Sequence, residues 1–369
     1  MTGRWVAVMR QALELAERGR YGASPNPMVG AVLLSHGGEV VGTGAHLQCG
    51  GPHAEVYALQ EGGSQAAGGT MVVNLEPCVH QGRTPPCVDA LLATGIARVV
   101  IGTRDPNPLV NGSGVDALRT AGVEVVEGVE EEACRRLNRR FFHWIAAGSP
   151  YVTLKMAMTL DGKLAARGGR SRWITSETSR REGYALREEY DALLVGVNTV
   201  LADDPRLVRH LGLNPNPHLL RVVLDTSLRT PPEAVLLESD PQDVVIFCRE
   251  GAPAERRKEL DARGTTVVEV GDDERGQCDL RQVLRWLGAH GVSSVLVEGG
   301  GEVHWSFLRE GLAHGVHAFV APLFLGGRDA TSAVGGAGFP SPQEAVKLRF
   351  VEVRRLEDDL VLTAEVERV

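Results

Sequence analysis

From residue 28 onward, short β-branched runs alternate with helical segments along almost the whole chain. No other feature constrains the fold as tightly. Strands separated by helices build a parallel or mixed sheet with helices on its faces. In the first part, residues 29–34 predict a strand, and the turn at 35–38 leads into a second run around Val40 and Val41. Helix at 53–60, strand at 70–75, helix at 88–93, strand at 98–102, helix at 115–121 and strand at 123–126 follow, then one helix over 130–147. Gly148-Ser149-Pro150 interrupts the pattern, and a new strand begins at 151–156. Further strands are expected at 192–197, 219–224, 244–248, 265–270, 294–297, 316–321 and 360–366, with helices at 280–289 and 303–309 and a loop at Asn214-Pro215-Asn216-Pro217. At about 150 residues per domain, 369 residues allow two or three domains. The punctuation settles on two α/β domains, 1–148 and 149–369.

The first 19 residues read as an amphipathic helix without an apolar signal core, and no window approaches 18 apolar residues. A cytoplasmic enzyme with no membrane partner is the expectation. The net charge of -8 and the 5 % aromatic content argue against nucleic acid as a partner. Six scattered cysteines are too few for a disulfide scaffold. Those near His and Glu read first as metal ligands or catalytic groups.

Three segments of the first half carry such groups: His53-Ala54-Glu55 after Gly50-Gly51-Pro52, Glu76-Pro77-Cys78 directly after a strand, and Pro85-Pro86-Cys87 at a helix start. One His and two Cys meet the ligand count of a catalytic zinc site with one position open to water. Two thiolates balance the charge of the ion and leave it able to ionise water near neutral pH. Pro86 suits the start of a helix and sets Cys87 in its first turn, where a thiolate is stabilised. Glu55 stands two residues from His53, so it lies beside the metal and not on it. A carboxylate there can shuttle protons to a ring nitrogen, which is the zinc-deaminase pattern. A structural zinc module would need a fourth ligand, and none is evident: Cys49 is a candidate, but Gly50-Gly51-Pro52 leaves its direction open. Incidental buried thiols are the blandest alternative.

Eight residues separate Cys78 from Cys87, where the general deaminase pattern has two. The run Glu76-Pro77-Cys78-Val79-His80-Gln81-Gly82-Arg83-Thr84-Pro85-Pro86-Cys87 closely resembles the deaminase half of the bifunctional diaminohydroxyphosphoribosylaminopyrimidine deaminase/5-amino-6-(5-phosphoribosylamino)uracil reductase family of riboflavin biosynthesis. So do Pro25-Asn26-Pro27, Gly51-Pro52-His53-Ala54-Glu55-Val56 and Arg104-Asp105-Pro106-Asn107-Pro108. The resemblance implies an N-terminal cytidine-deaminase-like αβα sandwich. It implies zinc on His53, Cys78 and Cys87, one ion per chain, with Glu55 as the proton shuttle. It places Asn26, His46, His80, Arg83, Asp105 and Asn107 around a pyrimidine ribonucleotide.

The second half carries Leu154-Lys155-Met156-Ala157-Met158-Thr159-Leu160-Asp161-Gly162-Lys163, which holds two of the chain's four lysines. Ser171, Trp173, Leu186-Arg187, the segment Val195-Gly196-Val197-Asn198-Thr199 and Glu298-Gly299-Gly300-Gly301 follow. A strand that ends in three glycines before a helix can bring backbone N–H groups to a phosphate, although a glycine triplet is more often a simple loop. Together these segments resemble the reductase half of the same family, which implies a C-terminal dihydrofolate-reductase-like α/β domain that binds NADPH. By that resemblance Ala157, Trp173, Thr199, Asp203, Thr226, Gly299, Gly300 and Gly301 hold the cofactor. Ser171, Arg187, Leu207, Arg209 and Glu298 face the substrate, and Lys155 is catalytic under the reacting ribose. The run Asp203-Asp204-Pro205-Arg206-Leu207-Val208-Arg209-His210 departs from the family, with its arginine one place early. Arg209 and His210 both remain open as the phosphate contact.

The resemblance implies two successive reactions on one small pyrimidine ribonucleotide, deamination and then reduction of its ribosyl chain, in a homo-oligomer. A nucleic-acid deaminase would share the zinc ligands but needs a basic second half. A second domain that binds nucleotide without turnover would share the pocket residues.

Overall fold

The computed structural model describes residues 3–79, 85–108 and 110–367. The chain divides into two compact units, Met1–Gly148 and Ser149–Val369. Among the described residues no helix is long and apolar enough to cross a membrane.

The first unit runs α1 (Gly3–Ala16), β1 (Gly30–Leu34), β2 (Val40–Ala45), α2 (Ala54–Gly62), β3 (Thr70–Leu75), α3 (Cys87–Ala93), β4 (Arg98–Thr103), α4 (Ser113–Thr120), β5 (Glu124–Glu127), α5 (Glu131–Leu137) and α6 (Arg139–Ala147). Its sheet has the order β2-β1-β3-β4-β5. β1 is antiparallel to both neighbours, whereas β3, β4 and β5 are parallel. Every residue of β1 and β3 is buried. Alternate side chains therefore feed two cores. Ala31, Leu33, Met71 and Val73 pack with Ala58 of α2, Leu91 of α3 and Leu118 of α4. Val32, Val72 and Val100 pack with Trp5 and Met9 of α1 and Cys134 of α5. The product is an αβα sandwich. Glycine lets α2 lie directly on β2: a Cβ at Gly42 or Gly44 would come within 2.1 or 1.9 Å of the Ala58 or Ala54 carbonyl oxygen. That close approach fixes where the α2 N-terminus, and with it His53, sits.

The single helix expected over 130–147 is two helices, parted at Asn138. The Asn138 side chain is buried and spent elsewhere. It accepts from the Met28 backbone N–H (2.8 Å) and donates to the Met28 carbonyl (2.9 Å). An Asn that bonds distant backbone competes with helix propagation. Asn74 of β3 completes the clamp, accepting from Gly30 N–H (2.8 Å) and donating to the Met28 carbonyl (3.0 Å).

The second unit contains β6 (Tyr151–Thr159), β7 (Lys163–Ala165), α7 (Glu177–Glu188), β8 (Ala192–Gly196), α8 (Val197–Asp203), β9 (Leu220–Leu224), β10 (Val244–Arg249), α9 (Ala254–Asp261), β11 (Thr266–Val270), α10 (Leu280–Ala289), β12 (Ser294–Val297), α11 (Gly301–Arg309), β13 (Gly315–Ala321), β14 (Thr331–Ser332), β15 (Leu348–Leu356) and β16 (Asp359–Val366). Nine strands form one sheet in the order β11-β10-β9-β8-β12-β6-β13-β16-β15, and β7 pairs with β14. The run from β11 to β13 is parallel. β16 is antiparallel to β13 and β15. One face packs on α10 and α11 through Leu154, Phe247, Leu284 and Phe307. The other packs around Leu193, Val195, Ile246 and Leu260. β12 returns between β8 and β6, so the winding direction changes at the centre of the sheet, where open α/β sheets gather their ligands.

The sequence pattern gave no element at α7, α8, α9, β7, β14 or β15. α7 is strongly polar and starts on a side-chain cap, Ser176 accepting from Ser179 N–H. β15 is an edge strand without a buried residue, so it shows no alternation between core and solvent.

The clamp on Met28 yields a prediction. Asn74→Ala leaves the buried Gly30 N–H without its partner and takes one of two donors from the Met28 carbonyl, at about 1–3 kcal/mol. Urea denaturation of the full chain should show the first unit destabilised by about that much. A loss below about 0.5 kcal/mol would show that Asn138 holds Met28 alone.

Candidate active sites

In the first unit, the end of β3, the start of α2 and the start of α3 converge. His53 is the N-cap of α2 and Cys87 the first residue of α3. His53 Nδ1 lies 3.0 Å from Cys87 Sγ and 3.5 Å from Cys78 Sγ. The donor atoms of His53, Cys78 and Cys87 all lie within 4.8 Å of one another. The Cys87 backbone N–H donates to Cys78 Sγ (3.4 Å), as expected for sulfur at a helix start. Hydrogen bonding with Cys87, then with His53, holds the Cys78 thiol at about 4, while the same contact pushes Cys87 upward.

Glu55 is 3 % exposed, and its Oε2 has no hydrogen-bond partner among the described residues. Burial raises its pKa. A buried carboxylate oxygen left unpaired beside two sulfurs and an imidazole is costly unless something outside the chain completes it. The trio together with this orphaned oxygen fits a zinc ion and its water. Cys49 lines the adjoining cavity but is not part of the trio.

That cavity is about 310 Å³ and is also lined by Asn26, His46, Asp105, Asn107 and Phe141. His46 Nδ1 faces the Pro52 carbonyl (3.0 Å), which can only accept, so Nδ1 carries the proton. Nε2 then accepts from Asn26 Nδ2 (3.1 Å). The His46 ring stands edge-on to His53, with centroids 5.4 Å apart. His80 and Arg83 lie outside the described residues.

Glu76 has a role that motif reading left unassigned. It is buried just past β3. One oxygen accepts from Asp105 N–H (3.2 Å) and Gly112 N–H (3.0 Å), the other from Gly114 N–H (2.9 Å) and Val115 N–H (3.2 Å). Four backbone donors around one carboxylate fix the loop that carries Asp105 and Asn107. The signal was present in the sequence as a carboxylate at a strand end and Gly112-Ser113-Gly114 at a helix start.

In the second unit, Glu298 directly follows β12 and Arg187 projects from α7. Their bond is bidentate, Nε to Oε1 at 2.8 Å and Nη2 to Oε2 at 2.8 Å. Lys155 of β6 brings Nζ to 3.9 Å from Glu298 Oε2. Burial opposes ionisation of Glu298, but Arg187 and Lys155 outweigh it and hold the carboxyl at about 2. Leu207 is buried with φ 51°, and Arg187 Nη1 donates to the Val208 carbonyl (3.4 Å). Arg209 turns away. Its guanidinium donates to the carbonyls of Asn216 (2.9 Å), His218 (2.6 Å) and Tyr190 (2.8 Å). It therefore holds a loop and does not join the Glu298 group. The His210 ring lies 4.4 Å from that of Tyr184, whose ring is 5.3 Å from the Arg187 guanidinium. Of the two phosphate candidates, His210 is the one brought to this cluster.

The remaining expected residues follow the carboxyl ends of the strands. Ala157 lies on β6 and Thr199 on α8, while Asp203 ends α8 exposed. Thr226 follows β9 and its hydroxyl donates to Gln277 (3.2 Å). Ser171 and Trp173 lie between β7 and α7 without a hydrogen bond to the Glu298 group among the described residues. Trp173 is 64 % exposed, its ring 4.3 Å from the Arg180 guanidinium. A Cβ at Gly301 would meet the Ser332 carbonyl at 2.3 Å, and one at Gly299 would meet Val303 at 2.7 Å. Gly300 differs: a Cβ there would meet nothing, and its backbone angles suit any residue. Open space at the N-terminus of a nine-residue helix fits a phosphate-bearing cofactor.

The Glu298 carboxyl gives a pH prediction. Its folded pKa of about 2 lies below its ordinary 4.5. The pairing therefore stabilises the fold fully above about pH 4.5 and is lost as pH falls toward 2. Denaturant titrations should show the stability gap between wild type and Glu298→Gln widest above about pH 5 and closing toward pH 2–3. A gap constant over that range would contradict the pairing.

Residues 150–362 match the RibD C-terminal domain, and residues 5–103 match the cytidine and deoxycytidylate deaminase zinc-binding region. The chain is 44 % identical to the riboflavin biosynthesis protein RibD of Aquifex aeolicus over 96 % of each. The structure of Acinetobacter baumannii RibD, form 1, superposes with a TM-score of 0.89 at 36 % identity, covering 100 % of both chains. That of a diaminohydroxyphosphoribosylaminopyrimidine deaminase/5-amino-6-(5-phosphoribosylamino)uracil reductase from Thermotoga maritima gives 0.84 at 34 % identity over 99 % of each. The chain belongs to the RibD family, bifunctional enzymes of riboflavin biosynthesis in which a zinc deaminase and an NADPH-dependent reductase share one polypeptide.

Proposed function

We propose that Met1–Gly148 is the deaminase, with His53, Cys78 and Cys87 holding zinc and Glu55 moving the proton, and that Ser149–Val369 is the reductase. One observation carries the first assignment: the unpaired Oε2 of buried Glu55 beside a three-member His/Cys/Cys donor set. Zinc bound there supplies the Lewis acidity that ionises water near neutral pH. Glu55 would accept a proton from water at this site and pass it to the ring nitrogen of the pyrimidine. In the net hydrolysis water oxygen would replace the exocyclic amine on the ring carbon, and the amine would leave as ammonia with protons relayed through Glu55. Asn26 and neutral His46 orient the ring, and Asp105 and Asn107 face the ribose side. His80 and Arg83 take the 5′-phosphate by family resemblance.

In the second unit Arg187, Glu298 and Leu207 form the floor for the ribosyl chain, with Ser171 and His210 at its edge. Lys155 would place its ammonium beside the imine-like ribosyl group, where NADPH bound here would supply the hydride that, together with one proton from solvent, gives the ribityl product. Ala157, Trp173, Thr199, Asp203, Thr226 and the three glycines from 299 to 301 would hold NADPH, by family resemblance.

The partner in this reading is a single pyrimidine ribonucleotide, in the cytoplasm. The net charge of -8 supports leaving nucleic acid out. Self-association is part of the reading too. The edge strand β15, with Phe350 60 % and Val353 58 % exposed, supports it.

Two variants test the proton and metal roles separately. Glu55→Gln should keep its zinc yet lose ammonia release by at least about 100-fold. Cys87→Ala should lose both zinc and ammonia release. NADPH oxidation on deaminated substrate should persist in each. Full ammonia release by either variant, or loss of both activities in both, contradicts the assignment.

A further inference from the structure

NADPH differs from NADH by one phosphate dianion on the adenosine ribose, so a reductase that prefers NADPH must present a cation there. We propose that Arg249 is that cation and the residue that sets cofactor preference. The proposal rests on the placement of NADPH across the carboxyl ends of the second sheet.

The geometry orders the cofactor along that edge. Gly300, at the start of α11, offers the open phosphate cradle just past β12. The reacting group lies toward β6, where Lys155 meets Glu298. The adenosine half must then run the other way, over β8, β9 and β10, which lie in that order beyond β12. β10 is three strands from β12, about 14 Å at roughly 4.8 Å per strand.

The cations at these strand ends can be sorted by what they already hold. Arg206 pairs with Glu238 at 3.5 Å. Arg229 donates to Asn198 at 2.8 Å. Arg256 donates to the Leu228 and Thr230 carbonyls. Arg275 and Arg309 share Asp273, each at 3.1 Å. Arg249 closes β10, is exposed, and its guanidinium has no hydrogen bond or ion pair among the described residues.

Its direction agrees. Side chains alternate along a strand. Phe247 packs in the core beneath α10 and α11, and Cys248 in the opposite core. Arg249 therefore leaves the sheet on the same face as Phe247, the face on which α11 begins. Its backbone N–H donates to the Thr226 carbonyl (3.2 Å), which ties it to the residue that follows β9. Thr226 is linked in turn to Gln277 and Cys278, and Cys278 belongs to that same core. A guanidinium without a partner among the described residues, on a residue whose backbone is tied to the Thr226 carbonyl, is a donor suited to a phosphate.

Calorimetric Kd values on the full chain test this with NADPH, NADH, 2′,5′-ADP and 5′-AMP. Wild type should bind NADPH and 2′,5′-ADP more tightly than their counterparts. Arg249→Gln should weaken both by about tenfold to a hundredfold while NADH and 5′-AMP are unchanged. The unchanged NADH value reports an intact fold. Arg249→Lys should recover part of the loss. An undiminished preference in Arg249→Gln would overturn the proposal, as would its collapse in Arg229→Gln alone. A wild type that binds neither dinucleotide would instead overturn the placement on which the proposal rests.

Discussion

A buried carboxylate one residue past a central strand organises each half of this enzyme. Glu76 follows β3 and gathers four backbone N–H groups. Glu298 follows β12 and gathers Arg187 and Lys155. Both sit where parallel strands end and helices begin, the edge at which such sheets collect ligands. An ionised carboxylate there is expensive to bury and is kept only when its oxygens are fully engaged. The partners that satisfy it are in turn held in one arrangement. Glu76 fixes the loop of Asp105 and Asn107 beside the cavity. Glu298 fixes Arg187 and, through the Val208 carbonyl, the loop that carries Leu207.

The two sites use charge differently. In the first, two sulfurs, an imidazole and a buried carboxylate crowd into one small space, a donor set that favours a divalent cation. In the second, one carboxylate answers two cations, leaving net positive charge close to where an anionic substrate and a reduced dinucleotide must meet. The residues named for each site come from a single unit of the chain.

Much of this was legible in the sequence. The bounds of β3, α10 and β12 follow from apolar runs framed by Gly, Ser and Asp. The metal trio follows from ligand type and from Pro86 placing Cys87 at a helix start. What was hidden depends on contacts distant in the chain. Asn138 splits a helix because its side chain is drawn to Met28, 110 residues away. Arg209 and His210 stood open as phosphate contacts in the sequence, and only the fold shows three carbonyls holding the Arg209 guanidinium. β15 escaped detection because an exposed edge strand has no buried face to leave a period.

The central claim is that deamination depends on a metal held by the first unit alone. Stripping zinc from the full chain with a chelator and then assaying both reactions tests it most directly. The account predicts that ammonia release disappears and returns with added zinc, while NADPH oxidation on deaminated substrate is unchanged. Ammonia release that survives complete removal of the metal, or reductase activity that falls in parallel with it, would contradict the account.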